Sequence, residues 1–409
     1  MRIAYVCSDH GIPVLGGKGA SIHIQELIGA FHSRGHEIEL LCARMGHGEV
    51  GDVAAAVTKI RAAGSGFRGL ADEKGDGAER RLKEQRYIDI GEAMEAAILE
   101  RHARTPFDFI YERYSLWSTA GVHAAQRLGI PCVVEVNAPL RLEQQRYRKL
   151  VMSDVAEKLE RDVFSLADIV VCVSEDVRDY AVSHGATPSA AHVMANAVDL
   201  ARFNPQASPA NVPGASLRPL IGFVGSLKPW HGIQDLLEAF RLLRMTMDAP
   251  RLLIVGDGPM RSWIEGFAQG AGLIDDVLQT GWAPYSDLPS LIRRMHVATA
   301  PYPVLEECYF SPLKVFEYMA VGRPIVASNI GQVGELIEDG CNGILTKPGD
   351  PESLAAALRN LLVDKTLAST LGANAAVSAQ QFTWAKNAAR VEALVDELLL
   401  AKQDIRAAS

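Results

Sequence analysis

Hydrophobic residues fall along this chain in short runs, separated by longer stretches in which they recur every three or four places. RIAYVC at 2–7, EIELLC at 37–42, FIYE at 109–112, CVVEV at 132–136 and IVVCV at 169–173 are rich in apolar and β-branched residues. Such runs belong to parallel strands covered on both faces. Between the first two, Ile24, Leu27, Ile28 and Phe31 stand at i, i+3, i+4 and i+7, one face of a helix that Gly35 stops. The stretch 64–86 breaks the alternation with glycine and charge and predicts a mobile surface excursion. NPQASPANVPGASLRP at 204–219 has no apolar period and reads as a linker. After it LIGFV, RLLIV, VLQT, VATA and PIVA restart the pattern, each followed by a helical pattern or a Gly/Pro turn.

The pattern predicts an α/β fold of two doubly wound, Rossmann-like domains, 1–203 and 220–380, hinged at 204–219. Ligands in such sheets bind at the carboxyl ends of the strands, which places the site in the interdomain cleft. A chain of 409 residues is too long for one ordinary core. With 48% hydrophobic and 22% charged residues its composition is globular, and its net charge of -8 argues against general nucleic-acid binding. Any phosphate ligand is therefore expected in a local pocket. Cys7, Cys42, Cys132, Cys172, Cys308 and Cys341 show no zinc-ligand or CxxC spacing, which predicts reduced thiols in a cytoplasmic protein. No run reaches the apolar length of a membrane span, and RIAYVC stands where a signal peptide would need a longer apolar core.

Ser311 to Gly322, SPLKVFEYMAVG, carries the most chemistry. Ser311 suits an N-cap, Pro312 a first helical position, and Gly322 with Pro324 an end. Leu313, Phe316 and Ala320 mark a buried side, with Lys314 and Glu317 together on another face. A lysine in the first turn opposes the helix dipole, and a bound phosphate would favour it there. Glu317 could accept hydrogen bonds from sugar hydroxyls; an ordinary surface ion pair of the two is the competing reading. Three turns join this helix. GFVGSLKPWHG at 222–232 presents Lys228 and His231, a point charge and an imidazole donor for phosphate. VGDGPM at 255–260 allows close backbone approach at Gly256 and Gly258, and TGWAP at 280–284 offers backbone groups to a base edge.

Order and spacing of these pieces resemble a retaining GT-B glycosyltransferase of family 4. The resemblance rests on GGKGASIHIQELIGAFHSRGHEIELL, NAVDLARF, GSLKPWHG, VGDGPM, TGW, SPLKVFEYMAVGRPIVAS and GQVGELIEDGCNGIL. It implies a C-terminal crossover helix within 381–409, near Phe382 and Trp384, returning to the first domain. It also implies that Gly225, Ser226, Lys228 and His231 lie on the donor diphosphate, with Lys228 the main cation. The amides of Leu313 and Lys314, next to Ser311, would cradle the same phosphates, Glu317 would bind the ribose, and Gly281, Trp282 and Ala283 would face the base. Gly16, Gly17 and Lys18 would approach phosphate and acceptor from the other domain. His10, His23, Arg113 and Asn137 are candidates for the sugar and acceptor side, each equally suited to a structural role.

The resemblance implies a same-face transfer from a UDP or GDP sugar to a hydroxyl acceptor, with Lys228, Glu317 and Asn137 in the catalytic set. No second carboxylate is placed for double displacement, and without a DxD motif no metal or cofactor is expected. The sequence departs from the family at several points. Tyr309 stands where the first signature glutamate belongs, with Glu306 or Glu307 nearby, and Ser226 and His231 replace the usual loop arginine and lysine. EVNAP offers Glu135, Asn137 and Pro139 where a histidine is common. A GT-B nucleotide-sugar epimerase and a non-catalytic nucleotide-sugar-binding protein remain alternatives. A nicotinamide dehydrogenase fits less well, since no GxGxxG follows the first strand. The basic run RLEQQRYRKL at 141–150 reads as a solvated helix face, leaving peripheral membrane contact and oligomeric state open.

Overall fold

The computed structural model of the chain describes residues 1–47, 53–62, 76–215, 218–247 and 250–408. They form two compact units, Met1–Ala195 together with Trp384–Ser409, and Asn196–Thr383. In the first, seven parallel strands are β1 (Arg2–Cys7), β2 (Glu37–Cys42), β3 (Ala56–Lys59), β4 (Phe109–Arg113), β5 (Cys132–Val136), β6 (Ile169–Cys172) and β7 (Ala191–Val193). They lie in the order β3-β2-β1-β4-β5-β6-β7. The second unit holds β8 (Leu220–Val224), β9 (Arg251–Val255), β10 (Val277–Gly281), β11 (Val297–Ala300), β12 (Ile325–Ser328) and β13 (Ile344–Thr346). Their order is β10-β9-β8-β11-β12-β13, again parallel.

The apolar runs become strands because both of their faces are covered. Ile3 pairs with Ile38 on one side and Phe109 on the other, and all three are buried. The second core gathers Ile221 and Phe223 of β8, Leu252 and Ile254 of β9, Leu236, Leu237 and Phe240 of the helix Ile233–Arg244, and Leu358 of the helix Pro351–Val363. Each sheet reverses its strand order beside its first strand, between β1 and β4 and between β8 and β11. In doubly wound sheets the crevice at such a reversal is where ligands bind.

Several expectations need correction. Residues 76–86 are not an excursion: they begin the helix Asp76–Arg104, whose Glu84 is buried and accepts the amides of Val151 and Met152 at 3.0 and 2.7 Å. Residues 64–75 lie outside those described. The expected linker 204–219 belongs to the second unit, and the boundary falls between Ala195 and Asn196 rather than after 203. Its residues 210–215 are anchored, with Val212 and Ala215 buried and Ala210 N donating to Ser290 O at 2.9 Å. The returning helix begins at Trp384 rather than at 381, because Phe382 packs on Phe316 in the second unit and its carbonyl accepts Val198 N at 3.0 Å. The basic run forms a helix, Leu140–Tyr147, with no buried residue. Five cysteines are buried and Cys341 is exposed, all free. Among the described residues no helix is long and apolar enough to cross a membrane.

Candidate functional site

In the second unit the carboxyl ends of β8, β9 and β10 hand over to loops that lock together. Gly225 N donates to Val255 O at 2.9 Å, Gly256 N to Gly281 O at 2.9 Å and Leu227 N to Asp257 O at 3.0 Å. Gly256 has φ 138, and a Cβ there would stand 2.0 Å from Gly225 O. Only glycine permits that stacking of backbone on backbone. At the end of the first loop Gly232 has φ 69, and a Cβ would fall 1.4 Å from Pro301 O in the segment after β11. The turn 225–232 is therefore pressed across the β8/β11 reversal.

Helix Leu313–Ala320 meets this turn, though not as its sequence suggests. The helix starts at Leu313 with Pro312 at the N-cap position and no side-chain cap. Ser311 instead ties down the start of the unit, its Oγ accepting Asn196 N at 2.9 Å and its carbonyl accepting Asn196 Nδ2 at 2.6 Å. The helix is buried all round except at Leu313, so Lys314 and Glu317, 8% and 4% exposed, are not a surface ion pair. Lys314 Nζ lies 4.1 Å from the centroid of Phe223 and 5.5 Å from that of Tyr302, and no hydrogen-bond acceptor among the described residues reaches it. A Cβ on Gly225 would stand 2.8 Å from it. Burial pushes the ammonium down to about 7, with Glu317 opposing the shift. A buried donor without an acceptor costs roughly 1–3 kcal/mol, more when charged, and an anion laid over Gly225 would remove that cost.

Two further basic residues stand in the turn itself. Lys228 is half-buried with Nζ 5.6 Å from the Trp230 centroid, and it is not alone at the turn, since Lys314 enters from the helix. His231 Nδ1 stands 2.5 Å from Ser226 O. Burial pushes the imidazole down to about 3, aided by Lys314, so the ring is neutral and its Nδ1–H is spent on that carbonyl. The expected phosphate donor is thus an acceptor at Nε2. Trp282 is exposed, Ala283 half-buried, and Gly258 closes on Leu227, where a Cβ would lie 2.7 Å from the amide nitrogen.

The first unit gathers its polar residues on Glu135, buried in β5. His23 Nε2 pairs with its Oε1, and Arg113 Nη1 lies 3.5 Å from its Oε2. Burial alone would raise the carboxyl, but His23, Arg113 and Asn137 outweigh it and hold the group below its ordinary value. Trp384 closes the group, its ring edge-on to His23 at 4.8 Å. His10 is not part of it and packs on Tyr87, 6.1 Å between centroids. Gly16, Gly17 and Lys18 form the turn before helix Gly19–Ser33, where Gln25 Nε2 braces Gly16 O at 2.9 Å and Lys18 is exposed. Sequence reasoning missed two roles. Glu135 as a hub was signalled by a carboxylate inside a buried run, and Lys314 as a buried cation by its misfit with the helix dipole.

Two family models divide the chain between them: Glycosyltransferase Family 4 matches residues 17–202, and Glycosyl transferases group 1 matches residues 218–364. The chain belongs to glycosyltransferase family 4. D-inositol 3-phosphate glycosyltransferase of Jonesia denitrificans is 27% identical over 94% of this chain and 93% of its own length. Glycogen synthase of Mycobacterium tuberculosis is 31% identical over 43% of this chain and 41% of its own. Among solved structures, sucrose-phosphate synthase from Thermosynechococcus elongatus aligns with a TM-score of 0.70 at 19% identity, covering 100% of both chains. Anabaena HepE in complex with UDP-glucose aligns at 0.69 and 17% identity, over 96% of this chain and 99% of that one. At these identities the structural likeness speaks for the fold, which is GT-B.

Proposed function

We propose that this family 4 glycosyltransferase retains anomeric configuration, needs no metal, and moves a sugar from a UDP or GDP sugar to a hydroxyl acceptor. The observation that carries the reading is Lys314: a buried ammonium without an acceptor, held against Gly225 at the reversal of the second sheet. HepE with UDP-glucose supports a nucleotide sugar as the ligand of such a fold. The bond from the anomeric carbon to the phosphate oxygen breaks, and the diphosphate leaves with the electron pair. The acceptor oxygen bonds to the same face of that carbon and gives its proton to the departing phosphate. Lys314, Lys228 and the amides of Leu313 and Lys314 stabilise the leaving charge, a type of interaction usually worth about 2.7–4 kcal/mol.

Glu317 takes the ribose hydroxyls, and Gly281, Trp282 and Ala283 take the base. On the first unit Gly16, Gly17 and Lys18 serve the phosphate and acceptor, and His23, Arg113 and Asn137 position the sugar through Glu135. Incubation with UDP and GDP sugars and simple glycoside acceptors tests the reading. It expects nucleoside diphosphate release only with acceptor, turnover undiminished by chelator, and a product anomeric centre matching the donor by NMR. An inverted centre, or conversion of donor without acceptor, would overturn it.

A further inference from the structure

We infer that Lys314 takes up a proton when a nucleoside diphosphate binds, so that donor affinity is linked to pH; this rests on the loop cluster being the nucleotide site. The geometry sets up the linkage. Nζ is wedged between the rings of Phe223 and Tyr302 and the backbone of Gly225, and no acceptor among the described residues reaches it. The titratable and charged groups that bear on it are few. Glu317 on its own helix favours the ammonium. His231, from the turn after β8, is pushed toward neutrality first by burial and then by Lys314 and Lys228, so the charge that turn brings is the positive charge of Lys228. Tyr302, after β11, is buried and held protonated, and Tyr318 spends its hydroxyl as acceptor for Val224 N at 2.7 Å.

With one carboxylate against burial, the lysine sits near neutrality, down to about 7. A diphosphate over Gly225 adds full negative charge beside Nζ and restores the ammonium. Above pH 7 the free site holds mainly the amine and the complex the ammonium, the proton coming from solvent.

Calorimetric titration of the full chain with UDP and with GDP, in two buffers of different ionisation enthalpy between pH 7.5 and 9, reads the proton directly. The nucleotide's own phosphate, with a second pKa of about 6, is already ionised there. We expect uptake approaching one proton per nucleotide and affinity falling about tenfold per pH unit at the alkaline end. Lys314→Arg should bind without uptake, and Lys314→Met should bind weakly, also without uptake. Wild-type binding with no buffer dependence overturns the inference while leaving the nucleotide site in place. Uptake that persists in Lys314→Arg overturns it too, by assigning the proton elsewhere. Failure of both nucleotides to bind wild type at any pH removes the reading of the site itself.

Discussion

Glu112 of β4 is 1% exposed, its Oε2 accepting Gly121 N at 3.0 Å and its Oε1 accepting Ser118 Oγ at 3.3 Å. Burial pushes the carboxyl up from 4.5 to about 8 despite those bonds. Between these values the folded chain binds a proton that the unfolded chain has released, so stability is full below 4.5 and is lost as pH rises through about 8. Glu112→Gln carries no charge; its amide oxygen can still accept Gly121 N, and its NH2 can donate to Ser118 Oγ in place of the bond it now accepts. Its melting temperature should match wild type at pH 5 and exceed it at pH 8.5, by about 2–4 °C for each kcal/mol recovered. A gap that does not change with pH would contradict the assignment. Lys314 was partly legible at the same scale: its misfit with the helix dipole pointed to an anion. Its burial was not legible, because Phe223 and Tyr302, which cover it, come from elements brought together only by the sheet order.

The loops after β8, β9 and β10 form one structural unit, since each is held by its neighbour's backbone. Gly256→Ala would drive a methyl into Gly225 O at a backbone φ of 138. Relief requires the two loops to part, at a cost of about 1–3 kcal/mol of backbone strain alone. We expect nucleotide affinity to fall tenfold or more in this variant while its far-ultraviolet circular dichroism is unchanged; unaltered affinity would separate these loops from the site. The long strands were legible because unbroken apolar runs bounded by turns leave little ambiguity. Three edge strands were not: AVTK of β3, AHV of β7 and ILT of β13 are short, partly exposed and lack a sustained run. The stretch 204–219 misled for the opposite reason: it shows no apolar period, yet Val212 and Ala215 are buried.

At the scale of the molecule the chain leaves its first unit at Ala195 and re-enters it at Trp384, so the final helix completes the first core from the far end of the sequence. Trp384 is 3% exposed against His23, Asn387 Nδ2 donates to Ala195 O at 2.9 Å, and Arg34 pairs with Glu392. Trp384→Ala should destabilise the first unit by about 3–5 kcal/mol, read in urea by protection of amides in β1 and β5, with affinity for the bare nucleoside unchanged. Loss of nucleoside binding in that variant would contradict ribose and base contacts made by the second unit alone. The overall architecture was legible from alternation and motif order. The cation proposed here was not, since Lys228 is prominent in its turn whereas Lys314 reaches it from a helix far along the chain. The central claim is that Lys314 is the principal ligand of a diphosphate, and calorimetry of UDP, GDP and their bare nucleosides at pH 7 tests it most directly. The account predicts that Lys314→Met weakens the diphosphate by roughly 100-fold, as expected for loss of a charged hydrogen bond worth about 1.5–3 kcal/mol. Lys228→Ala should weaken it less, and neither should alter the nucleoside. Equal diphosphate affinity in wild type and Lys314→Met would contradict it.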